Sequence, residues 1–144
     1  MLDFKNKVAV VTGGARGIGK CIGEQFEASG ATVCVIDLLD NDYFVGDLAD
    51  KQVLEAFVSK VIADYGRIDY LINNAAPQMV GITNGSYEEF ENALKVGVTA
   101  PFYLAKLFAP HFAEGASILI FNRNIGSAST QYLTYHGTGK CYKP

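Results

Sequence analysis

The chain has 144 residues, 49% apolar and 19% charged, with a formal net charge of −3. That length suits one domain, and that composition excludes a disordered chain. Both signs of charge are scattered along the sequence, so no basic patch serves nucleic acid or an anionic membrane surface. The apolar run that begins at Val8 is too short for a signal peptide or a spanning helix. His111, His136 and Cys141 share no ligand spacing, and no metal site is expected. Cys34, inside an apolar run, reads as a small buried side chain. A soluble cytoplasmic protein is the expectation.

Apolar runs of strand length alternate with stretches of helical period. Val8-Ala9-Val10-Val11 reads as a strand covered on both faces. From Gly17 the period becomes helical, with Ile18, Ile22 and Phe26 four apart and Gly30 placed to end the helix. Thr32 to Ile36 form a second strand stopped by Asp37, and Tyr43-Phe44-Val45 a very short third. Leu54, Phe57, Val58, Val61, Ile62 and Tyr65 trace one face of a helix, and Tyr70-Leu71-Ile72 is a fourth strand. Ser86 and Glu89 make a capping box that opens a long helix bearing Phe90, Leu94, Val98, Phe102 and Ala105. Pro101 lies inside that pattern and is expected to kink it. Ser117 to Phe121 form a fifth strand, and after Phe121 the pattern fades among Gly126, Gly137 and Gly139. Such alternation predicts a parallel sheet with helices on both faces.

Thr12-Gly13-Gly14-Ala15-Arg16-Gly17-Ile18-Gly19 leaves a predicted strand and opens a predicted helix. Glycines let the chain turn tightly and let backbone N–H groups approach a pyrophosphate, which the helix N-terminus favours. Asp37 follows Gly19 by 18 residues, at the end of the second strand. A carboxylate there accepts hydrogen bonds from adenosine ribose hydroxyls and repels a 2′-phosphate, which favours NAD over NADP. Arg16 has two readings, a contact to a 2′-phosphate or a solvated loop tip. Gly14 to Lys20 also approach the phosphate-loop pattern, but Cys21 replaces the Ser or Thr that would ligate magnesium.

These residues, in this order, resemble the short-chain dehydrogenase/reductase family from about Phe4 to Phe121. The glycine segment is similar to that family's T-G-x-x-x-G-x-G turn. Asp47-Leu48 falls where the family places an acid beside the adenine ring, though Asp47 also suits a turn. Asn73-Asn74-Ala75-Ala76 resembles its N-N-A-G motif, which steadies the sheet and lies along the cofactor ribose. The resemblance therefore implies a cofactor site made by Gly13, Arg16, Gly17, Ile18, Gly19, Asp37, Asp47, Leu48, Asn74, Ala75 and Ala76. It also implies hydride transfer between a nicotinamide and an alcohol or carbonyl substrate.

The later motifs depart from the family pattern. The family uses Y-x-x-x-K, whereas Tyr135 and Lys140 are five apart, which on a helix turns the lysine roughly 140° away. Tyr132 and His136 have the right spacing but the wrong second residue. Asn122-Arg123-Asn124 stands where the family has its Ser, Ser127 and Ser129 lie too close to Tyr135, and Gly97 replaces a helix Asn. The assignment from resemblance is Tyr135 as acid/base and Lys140 as its partner; the competing reading is a polar tail without catalysis.

The expected architecture is α/β, a doubly wound parallel sheet of about five strands in Rossmann-like order, truncated relative to the family fold. Residues 1–121 form the dinucleotide-binding domain, and residues 122–144 are an irregular tail in place of the family's catalytic segment. The helix at residues 86–111 resembles the family's dimerisation helix and implies a homo-oligomer. Two functions stay open: an NAD-dependent oxidoreductase, or an inactive NAD-binding module derived from one.

Overall fold

Val8 to Thr12 form β1 (Val8–Thr12), with every residue buried. In the computed structural model, which describes residues 3–77 and 83–121, this strand is the centre of a five-stranded sheet. Its companions are β2 (Thr32–Asp37), β3 (Phe44–Val45), β4 (Ile68–Asn73) and β5 (Phe112–Ile120). The order is β3-β2-β1-β4-β5, and every neighbouring pair is parallel. The chain thus builds outward from β1 to β3, returns to the far side of β1 and builds outward again. The reversal between β1 and β4 opens a crevice at the carboxyl ends of these two strands, where doubly wound sheets take ligands.

Successive side chains of β1 point to opposite faces, and both faces are covered. Ala9 and Val11 join Ile72 beneath α1 (Gly17–Ala28), against Ile22 and Phe26. Val8 and Val10 join Ile36, Leu71, Phe57, Leu104 and Phe108 in the larger core beneath α2 (Lys51–Tyr65) and α4 (Ala100–Phe108). Each of the large aliphatic and aromatic side chains there stabilises the fold by about 1.5–3 kcal/mol through burial. This double cover explains why β1 is a continuous apolar run rather than an alternating one.

Local signals set the helix ends. The Asp50 carboxylate accepts the Gln52 N–H at 2.8 Å to open α2, and Gly66 closes it with φ +71°. Gly30 follows α1 with φ +94°, a left-handed conformation at the position expected for a terminating glycine. Ser86 caps α3 (Tyr87–Leu94): its Oγ accepts the Glu89 N–H at 3.1 Å, while Glu89 Oε2 accepts the Ser86 N–H at 2.8 Å.

The segment after Ser86 differs from the single kinked helix expected. A π-helical turn, Lys95–Thr99, separates α3 from α4, and a 3₁₀ turn, Ala109–His111, ends the run. Pro101 lies in the first turn of α4, just past the widened turn. It has no N–H to offer the Gly97 carbonyl, so the helical ladder breaks there by widening. The face that packs is also different. Ala93, Ala100, Leu104 and Phe108 are buried, whereas the four-residue stripe Phe90, Leu94, Val98 and Phe102 is exposed at 57%, 44%, 61% and 66%.

β5 begins earlier than the sequence pattern indicates, at Phe112 rather than Ser117. Its register against β4 slips between Ile68↔Phe112 and Tyr70↔Ser117, and Gly115, with φ +76°, lies within that irregularity. A bulge of this kind hides a strand start from pattern reading, because the alternation is interrupted. At the same end of the sheet, buried Asp69 ties the start of β1 to the start of β4. Its Oδ2 accepts the Val8 N–H at 3.0 Å, and its carboxylate also binds Lys7 and Arg67. Among the described residues, no helix is long and apolar enough to cross a membrane, and no group of three or more potential ligands is placed to hold a metal.

Candidate functional site

The glycine turn, Asp37 and the residues after β4 converge at the carboxyl ends of β1, β2 and β4. Register accounts for this: Thr12 is level with Ile36 on one side and with Asn73 on the other. The Gly13 N–H donates to the Ile36 carbonyl at 2.8 Å, and Gly13 adopts φ +66°. A Cβ at Gly13 would lie 2.8 Å from Ala75 Cα. One at Gly19 would overlap the Gly13 carbonyl oxygen and Asn74 Nδ2. Gly17 has open space around it, yet its φ of +58° still favours glycine. Gly13 and Gly19 therefore provide room, and Gly13 and Gly17 provide a left-handed backbone.

Asn74 locks the turn to the sheet. Its Nδ2 donates to the carbonyls of Thr12 and Gly13, both at 3.1 Å. The Thr12 hydroxyl oxygen accepts the N–H groups of Asn74 and Ala75 at 3.1 and 3.0 Å. Thr12 opens the motif in the sequence, but pattern alone does not reveal its role as the shared acceptor. Ala76 is exposed beside this junction. Asn73, by contrast, is buried, and its amide has no hydrogen-bond partner among the described residues.

Asp37 is held from both sides. Its Oδ2 accepts the Ala15 N–H and its Oδ1 the Leu39 N–H, each at 3.0 Å. The carboxylate is thereby fixed against the glycine turn, where a diol could reach its remaining lone pairs. Arg16 adopts an extended conformation just before α1, is exposed, and makes no capping bond. Ile18 is exposed as well, at the start of α1. No side chain caps the N-terminus of α1 and no acid lies in its first turn, so its N–H groups and positive dipole end face the crevice.

Asp47 and Leu48 lie between β3 and α2. Asp47 accepts the Ala49 N–H at 2.8 Å, a turn contact of the kind its alternative reading describes. Leu48 is buried and lines a cleft with Lys51, Leu54, Lys95, Thr99 and Tyr103. Tyr135, Lys140, Ser127 and Ser129 lie outside the described residues.

A glycine cradle with no room for side chains at Gly13 and Gly19, an uncapped helix start and a fixed strand-end carboxylate together fit a dinucleotide's phosphates and ribose. The sequence profile of the short chain dehydrogenases matches residues 7–140. The chain belongs to the short-chain dehydrogenase/reductase family. It is 33% identical over 121 residues to 2,5-dichloro-2,5-cyclohexadiene-1,4-diol dehydrogenase of Sphingobium indicum, covering 74% of this chain and 48% of that one. Among solved structures it is similar to an apo SCOR enzyme from Clostridium thermocellum, with 35% identity and a TM-score of 0.70. That match covers 82% of this chain and 53% of the other. It is also similar to a Burkholderia cenocepacia short chain dehydrogenase solved with NADP, with 26% identity, a TM-score of 0.71, and cover of 81% and 55%. The chain spans about half the length of the curated relatives it matches. The family confirms the doubly wound fold and an oxidoreductase lineage.

Proposed function

We propose that this chain binds NAD, in preference to NADP, as the dinucleotide-binding part of an oxidoreductase acting between an alcohol and a carbonyl compound. The observation that carries the preference is Asp37, pinned by the Ala15 and Leu39 N–H groups beside the glycine turn. Its negative charge suits a ribose diol and opposes a 2′-phosphate at the same place. The NADP in the Burkholderia structure belongs to that protein, and the strand-end acid here argues for the other cofactor.

In this reading, Gly13, Gly17, Ile18 and Gly19 hold the pyrophosphate, and Arg16 stays in solvent at the rim. Asp47 and Leu48 flank the adenine, while Asn74, Ala75 and Ala76 lie along the ribose. These residues belong to a binding domain spanning residues 1–121, with 122–144 as a separate tail. When bound, the nicotinamide supplies the hydride acceptor or donor. The protein's own contribution here is to orient the dinucleotide by backbone N–H groups and one carboxylate. Tyr135 is assigned to move the substrate proton, with Lys140 as its partner. We assign the protein to the cytoplasm, and the exposed stripe Phe90, Leu94, Val98 and Phe102 supports a homo-oligomer through residues 86–111.

Calorimetric titration with NAD and, separately, NADP tests the cofactor reading. Saturable NAD binding, weaker for NADP and lost in Gly17→Val, is expected. In Asp37→Ser, loss of charge-assisted hydrogen bonds of about 1.5–3 kcal/mol predicts weaker NAD binding and a smaller gap to NADP. Equal affinity for both cofactors in the unaltered chain would overturn the preference. The five-residue spacing of Tyr135 and Lys140 favours a second reading, a binding module without turnover. An alcohol panel with NAD separates the two, because the second reading requires no NADH formation at any pH.

A further inference from the structure

Asn84-Gly85-Ser86 is the one Asn-Gly sequence in the chain. All three residues are exposed, and they precede α3 rather than lying inside it. We infer that Asn84 is a site of self-modification, where the chain converts its own amide to aspartate and isoaspartate through a cyclic imide. The reaction needs the main-chain nitrogen of the next residue to reach the Asn Cγ. Glycine at that next position has no Cβ to obstruct the approach and admits the backbone angles that ring closure requires. A residue inside a helix could not reach that geometry without breaking the helix, whereas Asn84 lies outside the hydrogen-bonded turns of α3.

The chemistry balances with water alone. The Gly85 nitrogen forms a bond to Asn84 Cγ, the Cγ–Nδ2 bond breaks, and ammonia leaves with the proton of the attacking amide. Water then opens the imide at one of its two carbonyls. Attack at Cγ gives aspartate; attack at the main-chain carbonyl gives isoaspartate, with the backbone running through the side-chain carbons. Nothing is oxidised or reduced.

The position gives the change a structural consequence. Isoaspartate lengthens the main chain two residues before Ser86, whose Oγ and N–H make the reciprocal bonds with Glu89. The new carboxylate also joins Glu88 and Glu89 at the start of α3. Conversion to plain aspartate leaves the backbone path intact, so only the isoaspartate form is expected to loosen the capping box.

The test is incubation of the purified full chain in mildly alkaline buffer, followed by peptide mapping with tandem mass spectrometry. The expected result is an amide-to-acid mass gain placed at Asn84, as two chromatographically separate isomers, with isoaspartate confirmed by methyltransferase labelling. Asn73, Asn74 and Asn92, whose next residues carry side chains, should retain their amides over the same period. Gly85→Ala should slow the reaction several-fold, and Asn84→Gln should remove it. Retention of the Asn84 amide while a free peptide of the same sequence converts would overturn the inference. So would conversion at any other asparagine ahead of Asn84.

Discussion

Gly19→Ala offers a sharp test of how the cofactor turn is built, because local propensity and packing demand opposite signs. Gly19 is the third residue of α1, where alanine is ordinarily the better helix former by about 1 kcal/mol. In this site the added Cβ would overlap the Gly13 carbonyl oxygen and the Asn74 amide nitrogen. Neither can yield cheaply, since one is backbone and the other bonds both Thr12 and Gly13. Overpacking of a tight site costs about 1–3 kcal/mol. Loss of one or both Asn74 bonds adds about 0.5–1.5 kcal/mol each. The net expectation is a destabilisation of about 2–4 kcal/mol, or a fall in Tm on the order of 10 °C. Gly17→Ala is the matched control: its Cβ meets nothing within 4 Å, and only the positive φ opposes it. That strain costs about 1–2 kcal/mol. Urea unfolding followed by circular dichroism measures both, with NAD titration in parallel. If Gly19→Ala proved as stable as the parent, or less harmful than Gly17→Ala, the close-packed account of the turn would be wrong.

Thr12→Val keeps the shape of the side chain but removes the oxygen that accepts two N–H groups. The Asn74 N–H keeps a second acceptor in the Ile72 carbonyl at 3.1 Å, so the Ala75 N–H is the one left unpaired, at a cost of roughly 1–3 kcal/mol read by the same urea titration. Asp69 should make stability fall in acid. Burial pushes its carboxyl up, but Arg67, the Val8 N–H and Lys7 outweigh that and hold it below the ordinary carboxylate range. Its contribution is therefore complete above the unfolded-state value of about 3.9 and is lost as pH falls through the lower folded value. Asp69→Asn should flatten that acid limb, and an unchanged limb would remove Asp69 as its source. Finally, Phe90→Glu with Phe102→Glu should leave the chain folded, since both side chains are exposed, and should remove the dependence of the unfolding midpoint on protein concentration. The same pair should shift the sedimentation profile toward monomer; loss of folding instead would mean that the stripe packs within the chain.

The sheet was legible because β1 is buried on both faces, which leaves an unbroken apolar run at Val8–Val11, and because β2 stays apolar from Val33 to Ile36, buried on one face and half-buried on the other. The glycine turn was legible because steric demands at Gly13 and Gly19 restrict residue choice so tightly. Other features left weaker traces. Phe90, Leu94, Val98 and Phe102 have the spacing of a buried face, and periodicity cannot say which of two apolar faces meets the sheet. Pro101 marked an irregularity, but not that the ladder would widen at Lys95–Thr99 instead of bending. The true start of β5 is masked by the bulge around Gly115. Asp69, a lone acid in a strand, gives no sequence hint that it gathers the Val8 N–H, Lys7 and Arg67.

The two halves of the sheet differ in how much of their surroundings they carry. The carboxyl ends of β1, β2 and β4, where Gly13, Asp37 and Asn74 meet, are tied by hydrogen bonds among residues 12 to 75. β5 pairs with β4 alone, and Ile118, Leu119, Ile120 and Phe121 are exposed among the described residues. Substitutions in the first group act on the hydrogen-bonded glycine turn directly, whereas β5 is joined to the sheet on one side alone among the described residues. In the proposed reading, the adenosine and pyrophosphate contacts draw on hydrogen bonds that lie within the described residues. Binding of adenosine diphosphate ribose should then retain most of the strength of NAD binding, because the two share every group those contacts touch. A large loss on removing the nicotinamide would show that the cradle is not the main source of affinity.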